Sequence, residues 1–321
     1  MEREILNQIN NSSRVLIITH LNPDGDTLGS ASALKSFIGE KADILIQIED
    51  NFNFPSTYSF LPHINTSKNL STLEDVYDLM IAVDVASIDR IFEKPRKMFE
   101  KCENTIVIDH HKTNSGFAKI NYIKGGISSA GEVVFDLFKA LNIEITSEMA
   151  QGIFAAILTD TGCFKYESTT AHTFEIASEL STCGISTSEI ADMCYINKPK
   201  NMILFQNYLI SNSNFCLNDR IAYVLIPKEI LEKYNAKDEY TEGICETLRS
   251  ISNVEIAFVL KETDFGVKVS IRSKKLDATK IAEKFNGGGH KRAAGCTIKM
   301  KLNSALEKLL QETKALLWLK K

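Results

Sequence analysis

The chain has 321 residues, 44% of them hydrophobic and 24% charged, with a formal net charge of −4. That length can bury a large core and suits two domains, and the composition is that of an ordinary soluble globular protein, neither disordered nor fibrous. No apolar run is long enough to span a bilayer, and the opening MEREILNQINNSSR reads as a polar helix without the apolar centre of a secretory signal. A cytoplasmic location and no membrane partner are therefore expected. Seven cysteines with no C-x-x-C pair read as reduced thiols. The charge is uneven: residues 206–321 carry 20 Lys+Arg against 14 Asp+Glu, and residues 1–205 carry 17 against 27. An acidic half can gather cations and a basic half can grip an anion. There is no long basic stripe of the kind that binds duplex DNA.

In chain order, short apolar runs alternate with helical periodicity through the first half. This predicts an α/β fold with a mostly parallel, doubly wound sheet. The expected strands are RVLIIT (14–19), DILIQIE (43–49), DLMIAVD (78–84) and NTIVIDH (104–110), with TLGSASALKSFIG as a crossover helix after the first. Further helices are expected at 130–141, 147–160 and 170–184, the last ending on a glycine. The polar helical stretch STSEIADMCYINKPKNMILFQ reads as a connector around Pro199. The boundaries are set at 1–186 for the first domain, 187–205 for a helical linker and 206–321 for a second, smaller α/β domain. In that second domain DRIAYVLIP, VEIAFVLKET and FGVKVSIRS read as strands and TEGICETLRSI as a helix. LDATKIAEKF reads as a helix running into NGGGHKRAAGCTIKM, and a final helix is expected from 303.

Three of the four expected strands end in acid or histidine. RVLIIT runs into HLNPDGD, which holds His20, Asp24 and Asp26; DLMIAV runs into Asp84; NTIVI runs into Asp109, His110 and His111. In an open parallel sheet the carboxyl ends share one edge, where ligands bind, so residues far apart in sequence converge. A single acid at a strand end is usually a cap, and Asn-Pro-Asp-Gly is strong turn chemistry by itself. A turn alone, however, requires neither a second Asp beyond Gly25 nor a His four residues before the first. Asp160, in AAILTDTGCF, ends an apolar helical run, where the helix macrodipole disfavours a carboxylate unless a cation lies nearby. Several carboxylates in one crevice imply bound divalent cations. Oxygen ligands mixed with imidazole suit Mn²⁺, and a pair of such ions suits hydrolysis of a phosphate ester.

HLNPDGD, AVD, VIDHH and LTDTG, followed by GGGHKRAAG near the carboxyl end, resemble the DHH phosphoesterases that carry a DHHA1 domain, in particular the compact group of nanoRNases and pAp phosphatases. The resemblance covers nearly the whole chain, in order. It implies two metal ions, usually manganese, with Mg²⁺ or Co²⁺ as substitutes. By the family's pattern His20, Asp24 and Asp84 hold one ion, Asp26, Asp84, His110 and Asp160 the other, and Asp84 bridges. Asp109 then orients His110, while His111 faces the phosphate and stabilises or protonates the departing oxygen.

Gly287, Gly288 and Gly289 let backbone N–H groups approach an anion, with a helical turn expected to begin at His290. With Arg272, Lys274 and Lys275 they read as a phosphate or nucleotide clamp, as in the family, and Arg272 is the best charged grip. The family often has a further glycine where Asn286 stands. Arg90 either reaches the crevice or lies on a solvated helix face. His63 and His172 read as structural. Phe52, Phe54, Tyr58 and Phe60 read as a loop packed on the core, in preference to a base-stacking surface. The expected activity is Mn²⁺-dependent hydrolysis of very short oligoribonucleotides or dinucleotides such as pApA or pGpG, together with removal of the 3′-phosphate of pAp. A homodimer is compatible with this reading. A family II pyrophosphatase is disfavoured by GGGH, a long-strand exonuclease by chain length, and a nucleic-acid-binding module without turnover by the number of acids.

Overall fold

Runs of valine, isoleucine and leucine form the first sheet: β1 (Val15–Leu21), β2 (Ala42–Gln47), β3 (Leu79–Val83), β4 (Thr105–Asp109) and β5 (Ile120–Ile123). All its pairings are parallel, in the order β2-β1-β3-β4-β5. Parallel strands covered on both faces read as continuous apolar runs. In β1, Val15 and Ile17 enter the core on one face of the sheet, while Leu16 and Ile18 enter the core on the other. The first face is covered by α1 (Glu2–Asn11), α2 (Gly25–Ile38), α4 (Ala130–Ala140) and α5 (Ser147–Asp160), with α6 (Ala171–Ser181) and α7 (Thr187–Tyr195) outside them. The second face is covered by α3 (Glu93–Lys101) through Phe99.

The strand order creates a switch point. β1 leads through α2 to β2 on one side, and β3 leads through α3 to β4 on the other. A crevice therefore opens beyond the carboxyl ends of β1 and β3, where ligands bind in sheets of this kind.

Close helix packing brings two further elements to that crevice. A Cβ on Gly29 would stand 2.4 Å from the Gly152 carbonyl oxygen, and one on Gly152 would stand 2.5 Å from that of Gly29. At the other end of the contact a Cβ on Gly25 would strike Thr159 at 2.5 Å. Glycine alone permits this approach. It sets the start of α2 beside the end of α5.

This computed structural model describes residues 1–48, 56–196 and 198–318. The chain divides into two compact units, Met1–Asn197 and Lys198–Lys321. The residues read as a helical linker hold α7 in the first unit and α8 (Lys200–Ser211) in the second. The second unit adds β6 (Asn214–Cys216), β7 (Ile221–Ile226), α9 (Lys228–Lys233), α10 (Ile244–Ser250), β8 (Ile256–Thr263), β9 (Gly266–Ser273), α11 (Thr279–Ala282), β10 (Gly288–His290), β11 (Ala293–Ile298) and α12 (Leu302–Trp318). Its sheet runs β10-β11-β9-β8-β7-β6, antiparallel except between β7 and β8. One face packs on α11 and α12, the other on α8, α9 and α10.

The α/β architecture expected from the sequence is present in both units. Some details differ: the short elements β5, β6 and α9 are not among those expected, and residues 288–290 form a strand where a helical turn is expected. Tyr58 and Phe60 are half-buried against the core, whereas Phe52 and Phe54 lie outside the described residues. Among the described residues no helix is long and apolar enough to cross a membrane.

Candidate metal centre

His20 lies near the end of β1 and is buried. Its Nδ1 is 3.0 Å from the Leu21 carbonyl oxygen, which takes the Nδ1 proton and leaves Nε2 facing Asp24 Oδ1 at 3.5 Å and Asp84 Oδ2 at 3.6 Å. Asp24 caps α2, its Oδ1 accepting from the amides of Asp26 and Thr27. Thr27 Oγ1 in turn donates to the carbonyl of Val83, tying α2 to the end of β3.

Asp84 follows that strand with φ +58, a left-handed conformation that is uncommon for a residue with a side chain and recurs at functional sites. It is 3% exposed, and its Oδ1 is buried without a hydrogen-bond partner.

Asp26 is buried against the start of α4, where its carboxylate accepts from the Ala130 amide at 2.8 Å and the Gly131 amide at 3.0 Å. Helix N-termini stabilise anions in this way. His110 Nδ1 is 3.1 Å from the Ile127 carbonyl oxygen, so Nε2 is turned inward. There it faces Asp84 Oδ1 at 3.4 Å, Asp26 Oδ2 at 3.6 Å and Asp160 Oδ2 at 3.7 Å. Asp160 is the last residue of α5.

These separations exceed the roughly 2.7–2.9 Å of a charge-assisted hydrogen bond. They are slightly wider than the spacing of about 3.0–3.4 Å between neighbouring ligand atoms held around one small cation. Three overlapping groups of potential ligands result, His20 with Asp24 and Asp84, Asp26 with His110 and Asp160, and Asp84 with Asp109, His110 and His111; within each the ligand atoms lie within 4.8 Å of one another. Asp84 Oδ1 points from the first group toward His110 in the second. An acid–histidine cluster with an unpartnered buried oxygen at its centre fits divalent cations.

The electrostatics follow from the crowding. Burial, reinforced by the charges of Asp84 and Asp160, holds the Asp26 carboxyl well above the usual carboxylate range. Burial likewise raises Asp84. Asp160 is pushed up to about 6 by burial, with His110 opposing and Asp84 and Asp24 adding to the rise. Burial disfavours the His110 cation, yet Asp84, Asp26 and Asp160 together push it up to about 10. Without a metal, the cluster holds protons to relieve its own repulsion.

His111 has a different role from His110. Its Nδ1 bonds Asp109 Oδ1 at 2.8 Å, while Asn114 Nδ2 donates to Asp109 Oδ2 at 2.6 Å and to the Val85 carbonyl at 3.0 Å. This corrects the expected partner of Asp109: it orients His111, while His110 is oriented by the Ile127 carbonyl. Asp109 is fully buried, and both its oxygens are already engaged. Burial opposes its charge, but the bonds from His111 and Asn114 prevail and hold it below the ordinary carboxylate range. The bond to Asp109 raises His111. Asn114 went unremarked in the sequence, although it stands in the same short motif, VIDHHKTN.

His20, Asp24, Asp84, His110, His111 and Asp160 line a cavity of about 160 Å³, with Ala86 and Arg90 completing the wall. Arg90, in the turn Ile88–Arg90, reaches the crevice; its Nη2 donates to the Leu21 carbonyl at 3.1 Å. A larger cavity of about 760 Å³ against α3 has lysines and apolar side chains in its wall and no comparable convergence of ligands. His63 and His172 lie away from the crevice, facing Glu148 at 3.5 Å and Asp136 at 2.9 Å.

In the second unit Arg272, on β9, donates to Glu246 and to the Ile271 carbonyl. Lys274 Nζ donates to the carbonyls of Ile251 and Ser252. Residues 288–290 pair antiparallel with β11, Gly288 opposite Gly295 and His290 opposite Ala293. This pairing is the correction to the helical turn expected at His290, and it gives Gly287 and Gly289 a packing reason. A Cβ on Gly287 would meet the Gly295 carbonyl oxygen at 2.2 Å, and Gly289 adopts φ +137 with Ala293 O 2.5 Å from where a Cβ would be. The His290 side chain lies outside the described residues.

Residues 14–157 match the N-terminal domain of the DHH family, and residues 218–318 match the DHHA1 domain. The chain is 28% identical over 299 residues to the bifunctional oligoribonuclease and PAP phosphatase NrnA of Thermus thermophilus, a match covering 92% of this chain and 88% of that protein. It is also 28% identical over 301 residues to the Bacillus subtilis protein of the same name, covering 93% of each. The crystal structure of an exopolyphosphatase-related protein from Bacteroides fragilis is similar with a TM-score of 0.91 at 25% identity, covering 100% of this chain and 97% of that one.

Proposed function

Because the chain belongs to the DHH phosphoesterase family with a DHHA1 domain, we propose that it is a two-metal phosphohydrolase of very short RNA. His20, Asp24 and Asp84 would hold one ion, and Asp26, Asp84, His110 and Asp160 the other. The observation that carries this reading is Asp84, buried in a left-handed conformation with one oxygen unpartnered between the two ligand groups. A carboxylate set mixed with imidazole favours Mn²⁺. Such ions, when bound, stabilise charge on phosphoryl oxygens and make a water nucleophile available at neutral pH.

The chain's own groups supply the rest. His111, held at Nδ1 by Asp109, keeps Nε2 for the substrate and delivers a proton to the departing oxygen. Asn114 fixes Asp109, and so fixes the ring. Arg90 offers a cation to the phosphate at the crevice wall. Arg272 and the Gly287–Gly288–Gly289–His290 hairpin are the proposed substrate contacts of the second unit. Dinucleotides such as pApA or pGpG would yield mononucleotides, and pAp would lose its 3′-phosphate. Both substrate classes are supported by the names of the two relatives described above.

The test is turnover by purified protein, stripped of metal and then supplied with Mn²⁺, on pApA, pGpG and pAp. Mn²⁺-dependent release of mononucleotide or phosphate is expected. Binding of these compounds without turnover, at saturating Mn²⁺, would show a binding module instead.

A further inference from the structure

We infer that Glu132, which lines no part of the crevice, is a positioning residue that holds the turn on which His110 and Asp26 both lean. Glu132 lies in the first turn of α4 and is fully buried. Its Oε2 accepts from the Ser128 amide at 2.8 Å, and its own amide donates at 3.2 Å to the Oγ of Ser129, the N-cap. In a capping box the acid reaches back to the N-cap amide. Here it reaches one residue further, and so closes the loop before the helix as well as the helix start.

That loop is the part of the chain that supports the crevice from behind. Ile127 O receives His110 Nδ1–H, while the Ala130 and Gly131 amides hold Asp26. The two N–H groups that Asp26 uses are the first free donors of α4, and the third is taken by Ser129. The Glu132–Ser128 bond sits between the Ile127 carbonyl and those amides in the chain. It therefore sets both the ring orientation of His110 and the position of the Asp26 carboxylate. Groups that support metal ligands in this way typically change metal affinity or activity by about 10–100-fold when removed. The Oε1 of Glu132 is buried without a hydrogen-bond partner, a cost that closing the helix start does not by itself require.

The assignment rests on the proposed metal site, so two readouts are needed that can fail separately. The first is the Mn²⁺ dissociation constant of the full chain, measured by calorimetry on the wild type, Glu132→Ala, Glu132→Asp and Glu132→Gln. The second is the hydrogen-bonded Nδ1 proton of His110, observed by NMR in the metal-free protein. Gln retains an acceptor for the Ser128 amide and is expected to bind Mn²⁺ within about 3-fold of wild type, with the Nδ1 signal kept. Asp is too short to reach, and is expected to weaken Mn²⁺ binding by about 10–100-fold and to lose the signal, as is Ala. Should Ala fail to fold, the Asp and Gln pair decides. Wild-type affinity in a folded Ala or Asp variant overturns the assignment, and so does a Gln variant as impaired as Asp. If the wild type itself binds no Mn²⁺, the metal reading fails, and the NMR signal alone decides for or against the positioning role.

Discussion

At the scale of single residues the site stores its own cost. Asp84 is buried, left-handed and unpartnered at one oxygen, and clustered acids around it raise one another's proton affinity. On the two-metal proposal, Asp84→Ala leaves a folded protein whose turnover falls by more than the roughly 10²–10³-fold that loss of one transition-state contact costs. Circular dichroism reports the fold and a dinucleotide assay the turnover; near-normal hydrolysis by folded protein would defeat the proposal. The two adjacent histidines should separate. His110→Ala loses metal on dialysis, whereas His111→Ala keeps it and loses about 10²–10⁴-fold in kcat, and Asp109→Asn follows His111→Ala because the two share one bond. Equal metal loss in all three would show the assignment of the two histidines to be wrong.

The same crowding predicts a pH dependence. In the metal-free protein His110 holds its proton up to about pH 10, and Asp160 up to about 6. A metal needs both groups unprotonated, so binding releases the His110 proton throughout the neutral range and the Asp160 proton below about pH 6, and Asp26, held well above its usual range, adds to the release. Mn²⁺ affinity should therefore rise with pH across 6 to 9 and steepen below 6. Calorimetry in buffers of different ionisation heat measures the released protons, and a flat profile would count against His110 as a ligand. The acids and histidines were legible in the sequence because apolar strands lead straight into them. The partner of Asp109 is not legible in the sequence, because β4 ends at Asp109 and the turn of the chain beyond it decides which of the two adjacent rings meets the carboxylate.

At the scale of elements, helix contacts bring distant ligands together. Asp26 starts α2 and Asp160 ends α5, and the pair meet because Gly29 and Gly152 let the two backbones touch. Gly152→Ala forces a Cβ to within 2.5 Å of the Gly29 carbonyl oxygen, and the backbones must part. A destabilisation of about 1–3 kcal/mol is expected, together with weaker Mn²⁺ binding, since the ligands move with their helices. Thermal unfolding and metal titration check both, and a variant unchanged in either would mean the contact is slack. Long elements with strong periodicity, such as α4 and α5, were legible. The four residues of β5 and the glycine-rich β10 were not, because short strands pair through neighbours that a local pattern does not reveal. The three glycines look like an anion loop in the sequence, and the close approach of Gly287 and Gly289 to β11 is visible only in the folded sheet.

At the scale of the whole molecule, charge limits what the protein can hold. The net charge is −4, and the excess of cations in residues 206–321 is small. Long single strands bind through many phosphate contacts, each adding about 0.7 to the slope of log affinity against log salt. On the proposed reading one or two phosphates are engaged, at the crevice near Arg90 and at Arg272, so the slope for a dinucleotide should lie between about −0.7 and −1.4. Extending the RNA adds negative charge to a chain whose own net charge is −4, so kcat/KM on a dinucleotide should exceed that on a long single strand by at least about 10-fold. Arg272 donates to Glu246 and the Ile271 carbonyl within its own unit and bonds none of the proposed metal ligands. Arg272→Ala should therefore raise KM for the dinucleotide about 10-fold while Mn²⁺ content stays constant, the signature of lost substrate binding alone. Steady-state kinetics on pApA and on a long RNA, each at several salt concentrations, measure all three quantities. Equal or better activity on the long strand would defeat the short-substrate reading even with the metal chemistry intact, and an Arg272→Ala variant with unchanged KM would remove the second unit's arginine from the substrate site.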